Sequence, residues 1–234
     1  MNNNWYDVID NFYKLKTSCN IEEGDIVYCV CSYNEPDLRV LDSARNSTTE
    51  HKDIIGNICG VDFSKHFTSE KKLPIKLLNI KDTEEIILKK AKLRPCIVLK
   101  IIKRKHIGIE LNTDDLFLLL PLYSLTNSTG FEYKFNEKIV AKLKSLYYPE
   151  YFYFPKKVKG YSPFYKDSFL RFEEMFLTYS KHMHRTTKDS YCISKELLNI
   201  LLEIYKLYFC GLPLSEDVDT IIMLARESLA DEYK

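Results

Sequence analysis

Two short polar stretches stand at the ends of apolar segments that have the composition of buried β-strands. Arg94 and Pro95 precede the apolar run 96–102, and Tyr123 and Ser124 end the run that begins at Leu116. An arginine guanidinium pairs with a phosphate through two parallel hydrogen bonds. Tyrosine and serine offer hydroxyls to a phosphate, and a tyrosine ring stacks on a base. An ordinary ion pair for the arginine and a water-facing strand end for the two hydroxyl residues remain alternatives.

Basic residues are concentrated in short runs beside these segments. The members that we expect to contact a phosphate backbone are Lys92, Lys103, Arg104, Lys105, Lys156, Lys157 and Lys159. If the runs converge on one face, they form a track for a single-stranded nucleic acid. The alternative is a solvated positive face in a lysine-rich chain.

Other titratable residues point less clearly to chemistry. His182 and His184 are either an acid/base pair or part of a solvated loop, and Asp25 is either a base or the cap of a turn. Cys29 and Cys31 lack a second ligand pair at zinc-like spacing, so we predict no metal site. The chain has no Walker loop and no dinucleotide fingerprint, so we predict no cofactor.

The elements that must position these residues mix helix and strand. Apolar residues at helical spacing predict an N-terminal helix within 1–20, and 26–32 has the composition of a strand. Two capping serines, Ser194 and Ser215, predict C-terminal helices within 190–234, the first closed by Gly211. The strands predict one shared core containing Ile26, Val30, Ile97, Leu99, Leu118, Leu120 and Phe169.

Composition limits the class of protein. The 234 residues are 45% hydrophobic and carry a net charge of +1, so they can form a substantial core without a strong overall field. The seven cysteines are odd in number and read as reduced thiols of a cytoplasmic protein. No apolar stretch approaches the roughly 20 residues of a membrane span. We expect one domain, 1–234.

Five pieces, in order, resemble the MazF/PemK family of toxin ribonucleases. They are Gly24-Asp25-Ile26-Val27, Arg94-Pro95-Cys96-Ile97-Val98-Leu99, Pro121-Leu122-Tyr123-Ser124, the stretch Asp167 to Met175, and a helix from Ser194 to Phe209. The resemblance implies an α+β fold, with a small antiparallel β-barrel of the Src-homology-3-like, MazF/CcdB type across 21–178. Insertions at about 37–90 and 127–166, together with peripheral and C-terminal helices, would elaborate the barrel.

The same resemblance implies a metal-independent endoribonuclease that cleaves single-stranded RNA. Its catalytic residues would be Arg94, Tyr123 at the position where the family has threonine, and the adjacent Ser124. The implied partners are single-stranded RNA, an antitoxin protein and a second copy of the chain, with no membrane involved. The tyrosine favours an alternative, a catalytically inactive barrel module that binds nucleic acid or a protein partner in a toxin-antitoxin or defence system.

Overall fold

The computed structural model describes residues 4–32, 39–43, 56–62, 66, 80–81, 84–103, 115–127, 132–184 and 190–229. Within them the chain is an α+β protein. Its strands are β1 (Tyr13–Leu15), β2 (Ile26–Ser32), β3 (Arg39–Ser43), β4 (Gly56–Gly60), β5 (Ile87–Leu88), β6 (Ala91–Ile102), β7 (Leu116–Ser124), β8 (Tyr151–Phe154), β9 (Ser168–Arg171), β10 (Phe176–Tyr179), β11 (Met183–His184) and β12 (Tyr191–Ile193). Its α-helices are α1 (Glu137–Lys144), α2 (Lys195–Cys210) and α3 (Glu216–Glu227). None of these helices has the length and apolar character needed to cross a membrane.

The chain divides into two compact units. The first joins Met1–Val30 to Leu93–Lys234, and the second is Cys31–Lys92. The second unit contains a three-stranded antiparallel sheet in the order β4–β3–β5 and covers the insertion expected at 37–90. Helix α1 and strand β8 lie in the insertion expected at 127–166 and belong to the first unit.

The main sheet has seven strands and branches at β7. Its order is β11–β2–β6–β7–β9–β8, and β10 also pairs with β7. Strand β10 pairs with Leu116–Leu119 of β7, whereas β9 pairs with Leu122–Ser124 of the same strand. Between these two pairings lies Pro121, which has no N–H to donate to a neighbouring strand. Among the described strands no pairing joins β8 to β11, so a closed barrel is not found in this sheet.

The N-terminal segment is not the predicted helix. Residues Trp5–Asp7 form a single 3₁₀ turn, and β1 follows and pairs with β12. Asn11 adopts a left-handed backbone with φ of 52°, which interrupts any helix at that position. Of the apolar residues at helical spacing in this segment, Trp5 and Phe12 are buried, but Val8 and Leu15 are 53% and 55% exposed.

Five of the seven residues predicted for the core are buried. The buried members are Ile26, Ile97, Leu99, Leu120 and Phe169, which share one core cluster. Leu118 is half-buried against that cluster. The prediction for Val30 is wrong, since its side chain is 62% exposed. Cys29 and Cys31 are buried, and a strand turns alternate side chains to opposite faces, so Val30 faces solvent.

Both C-terminal helices begin after the predicted serines, and α2 ends at the predicted glycine. The Ser194 hydroxyl accepts a hydrogen bond from the Leu197 amide at the start of α2. Gly211 follows α2 with φ of 64°, the left-handed conformation that glycine adopts readily. The Ser215 hydroxyl accepts from the Val218 amide at the start of α3.

A buried ion pair holds the segment between β1 and β2. The Lys16 ammonium lies 2.7 Å from both carboxylate oxygens of Asp25. The two side chains are 6% and 2% exposed. The same carboxylate accepts a hydrogen bond of 2.8 Å from the Glu22 amide, so Asp25 caps this turn, as the sequence suggested.

Candidate functional site

Arg94 and Tyr123, two of the three residues predicted to be catalytic, are in direct contact. The Arg94 Cζ atom lies 4.2 Å from the centroid of the Tyr123 ring. The antiparallel register explains the contact. Cys96 pairs with Pro121, so continuing the register by two residues places Arg94 opposite Tyr123. Both side chains are half-buried, which leaves part of the stacked pair accessible.

The contact belongs to a larger surface on one side of the main sheet. Tyr123 pairs with Phe169, and Arg171 pairs with Tyr151 on the next strand. Residues two apart on a strand share a face, so these side chains all project to the same side. The Phe169 ring lies 5.8 Å from that of Tyr123 and 5.7 Å from that of Tyr151. We call this surface the aromatic face and define it by Arg94, Tyr123, Tyr151, Phe169 and Arg171.

Arg171 supplies the second cation of the aromatic face. Its Cζ atom lies 5.8 Å from the Tyr123 ring and 5.9 Å from the Tyr151 ring. Its guanidinium donates to Glu173 Oε1 at 2.9 and 2.5 Å, and Glu174 lies 3.4 Å away. Partial burial lowers the pKa of Arg171, but the hydrogen bond and charge of Glu173 outweigh it, so the pKa is raised. Burial raises the pKa of Tyr151 despite the opposing charge of Arg171.

Glu173 is a carboxylate that the sequence analysis did not single out. Its Oε1 atom binds Arg171, while its Oε2 atom is buried and has no hydrogen-bond partner among the described residues. The 3₁₀ turn Phe172–Glu174 directly follows β9 and places Glu173 beside the guanidinium. The feature of the sequence that indicates this ion pair is an arginine followed two residues later by a glutamate at the end of a strand.

Ser124 is not brought to the aromatic face. Alternation along β7 points it away from Tyr123, and its hydroxyl donates to the Thr126 carbonyl at 2.9 Å. The Thr126 amide donates back to the same hydroxyl at 3.2 Å. The structure therefore places the Ser124 hydroxyl within its own turn and not beside the Arg94–Tyr123 contact.

The predicted basic residues that the structure describes lie on different elements of the chain. Lys156, Lys157 and Lys159 are exposed in the loop directly after β8, next to one end of the aromatic face. Lys103 is exposed just beyond β6, about 30 Å from Arg94 at roughly 3.3 Å per strand residue. Lys92 is exposed and belongs to the second unit. Arg104 and Lys105 lie outside the described residues.

Other groups extend the aromatic face toward α1. The Phe135 ring lies 6.0 Å from that of Phe169, and the Tyr148 ring lies 6.0 Å from that of Tyr151. The Lys144 ammonium lies 2.8 Å from the Tyr133 hydroxyl. The sequence shows lysines followed by paired tyrosines in this region, but their position beside the sheet depends on long-range packing.

The two histidines considered as acid/base groups lie elsewhere. His182 follows β10, whose last residue Tyr179 pairs with Leu116 at the start of β7. Tyr123 is near the other end of that strand. His184 pairs with Tyr28 on β2.

The arrangement has the parts that a nucleic-acid site needs. Half-buried rings offer surfaces on which bases stack, and two guanidiniums beside them offer forks for phosphate. Burial also raises the pKa of Tyr153, with Asp167 as the next cause, so this phenol remains neutral.

Comparisons with protein-family models, with curated proteins and with solved structures find no match for this chain.

Proposed function

We propose that the aromatic face binds single-stranded RNA and that the chain cleaves it without a metal ion. The observation that carries the proposal is the convergence of Arg94 and Arg171, both within 6 Å of the Tyr123 ring. One ring between two cations offers a stacking surface for a base with phosphate ligands on either side. The resemblance to the MazF/PemK toxins supports the same activity.

The chemistry needs a base and a cation. The base removes the proton of a ribose 2′-hydroxyl, whose oxygen attacks the adjacent phosphorus. The bond to the 5′-oxygen then breaks and leaves a 2′,3′-cyclic phosphate, and the departing 5′-oxygen takes up a proton to become a hydroxyl. We assign the role of base to Glu173, whose carboxylate lies beside the Arg171 guanidinium at the edge of the aromatic face. Arg94 would stabilise the charge that develops on the phosphorane.

The experiment is cleavage of a mixed-sequence single-stranded RNA in the presence of a chelator, with detection of cyclic phosphate ends. Cleavage that survives chelation supports the proposal. Products with 3′-hydroxyl ends, or activity that chelator abolishes, contradict it.

Tyr123 is expected to bind RNA through its ring and not through its hydroxyl. Tyr123→Leu should weaken binding roughly five- to 150-fold, because stacking of one base contributes about 1–3 kcal/mol. Tyr123→Phe retains the ring and should bind within about twofold of the unchanged protein. Fluorescence anisotropy with a labelled oligonucleotide measures both. Equal losses for the two variants would show that the hydroxyl is the binding group.

Two observations favour a second candidate function, binding without cleavage. Arg171 is held by two carboxylates, and the Ser124 hydroxyl is engaged within its own turn. In this function the chain is an inactive module that grips nucleic acid or a protein partner. Binding that weakens steeply with salt in the absence of any cleavage would identify an RNA-binding module.

We infer further that the main sheet is an elaborated form of the small toxin barrel and that an antitoxin is a partner. The adjacency of β6, β7 and β9, which carry three of the five resembling pieces, supports the first inference. An experimental structure with β8 and β11 far apart would contradict it. Co-expression with the protein encoded beside this chain would test whether an antitoxin is a partner. If the two proteins form no stable complex, that inference is contradicted.

We propose that the chain forms a homodimer through the end of α2. Tyr208, Phe209 and Leu212 are 40%, 48% and 50% exposed there. Phe209→Glu should convert a dimer to a monomer in light scattering at micromolar concentration, whereas Lys206→Glu, an exposed change on the same helix, should not. Leu201 is fully buried, so a change there would test folding instead. A wild-type monomer would contradict the proposal.

A further inference from the structure

The second unit holds a cluster of three side chains that has no part in the aromatic face. We propose that Asp42, Cys59 and His66 bind a divalent transition-metal ion of the zinc type. Their ligand atoms all lie within 4.8 Å of one another. The sulfur of Cys59 lies 4.0 Å from Nε2 of His66.

The β3–β4 register explains why the carboxylate and the thiol meet. Val40 pairs with Cys59, and Asp42 is two residues beyond Val40 on the same strand. Residues two apart share a strand face, so Asp42 and Cys59 project to the same side of this small sheet. His66 lies outside the strands and is only 1% exposed.

The donor set selects the class of metal. A thiolate, an imidazole nitrogen and a carboxylate oxygen are ligands of zinc and its neighbours, whereas calcium and magnesium take oxygen ligands. In tetrahedral zinc, bonds of roughly 2.3 Å to sulfur and 2.0–2.1 Å to nitrogen put these two atoms about 3.6 Å apart. The observed separation of 4.0 Å is within a few tenths of an ångström of that value. Three protein ligands leave the fourth position for water.

Binding requires a defined movement of protons. The Asp62 amide donates a hydrogen bond of 2.9 Å to His66 Nδ1, so in the neutral ring the proton lies on Nε2, facing the thiol. A metal takes the Nε2 lone pair, and the ring proton then occupies Nδ1. The Cys59 thiol releases its proton to solvent as the metal–sulfur bond forms. The hydrogen bond from the Asp62 amide must therefore open on binding.

The competing explanation is a trio of hydrogen-bonding groups with no metal. In that case the Nε2 proton of a buried imidazole points to a sulfur atom at 4.0 Å, and sulfur is a weak acceptor. The hydrogen bond from the Asp62 amide then accounts for Nδ1 of the ring, and the weak sulfur contact accounts for Nε2. A metal ligated by all three groups uses each of them.

The experiment titrates the full chain, first stripped with chelator, with Co²⁺ as a spectroscopic probe of the zinc class. We expect one equivalent to bind, with a thiolate-to-cobalt charge-transfer band and the intense visible bands of tetrahedral cobalt. Cys59→Ser should remove the charge-transfer band. Cys19→Ser, which changes an exposed cysteine, should retain it. Asp42→Asn should weaken binding by at least about tenfold.

Two results would overturn the inference: no saturable cobalt binding, or a charge-transfer band that persists in Cys59→Ser. His66→Gln changes a buried residue and is informative only if circular dichroism shows a folded chain. Cys59 is half-buried, so its serine variant provides the test in either case. In the unchanged protein, zinc should also shift the Asp62 amide resonance and speed its hydrogen exchange. The inference is independent of RNA cleavage, because the cluster and the aromatic face lie in different units.

Discussion

Arg94→Ala is expected to lower RNA cleavage by about a hundredfold or more. This is the loss seen when one preorganised donor to a developing oxyanion is removed. Arg94→Lys should also be impaired, because an ammonium cannot reproduce the planar fork that binds two phosphate oxygens. Single-turnover cleavage of a labelled single-stranded RNA in chelator measures both variants.

The same substitution should change folding little. Arg94 is half-buried and stacks on Tyr123, a contact that contributes about 0.5–1 kcal/mol at accessible sites. The matched control is Lys100→Ala. This change removes another cation of β6, one that pairs with Glu23 at the surface, and the variant should cleave RNA normally. If the Arg94→Ala variant cleaves RNA at the rate of the unchanged protein, Arg94 is not a catalytic residue.

Removal of one partner of the buried Lys16–Asp25 pair is expected to destabilise the chain by about 3–5 kcal/mol. Lys16→Met removes the cation 2.7 Å from the buried Asp25 carboxylate, and the desolvation of that ion is strongly unfavourable. The double change Lys16→Met with Asp25→Leu should recover much of the loss, because no charge is then buried. Urea denaturation monitored by circular dichroism gives the free energies of unfolding.

An exposed ion pair in the same unit provides the comparison. Lys159 and Asp10 are 3.7 Å apart, with side chains 47% and 88% exposed. Asp10→Ala should shift the denaturation midpoint by no measurable amount, since solvent already screens the pair. A Lys16→Met midpoint equal to that of Asp10→Ala would show that the buried pair does not stabilise the fold.

Local patterns predict those parts of this fold that local contacts determine. Ser194 and Gly211 mark the ends of α2 because a capping hydroxyl and a left-handed residue act within one helical turn. The prediction of an N-terminal helix is wrong for a similarly local reason. Asparagine tolerates the left-handed conformation that Asn11 adopts, but its presence in a sequence does not predict that conformation.

Long-range pairing accounts for what the sequence could not show. Arg94 and Tyr123 were expected in one site, but their contact depends on the β6–β7 register. Ser124 is displaced from that site by one residue of alternation. The cluster of Cys59, His66 and Asp42 was not singled out from the sequence. Six residues between Cys59 and His66 match no common ligand motif, and the β3–β4 pairing brings Asp42 to them.

The pairing of β1 with β12 has a consequence for the order in which the chain folds. Tyr13 is paired with Ile193, so this ladder cannot form until nearly all of the residues between them have been synthesised. At about 5–20 residues per second, strand β1 waits on the order of ten seconds or more for β12. Contacts of such high sequence separation also slow folding. The nascent chain therefore carries β1 with an unpaired edge until Tyr191–Ile193 has been synthesised.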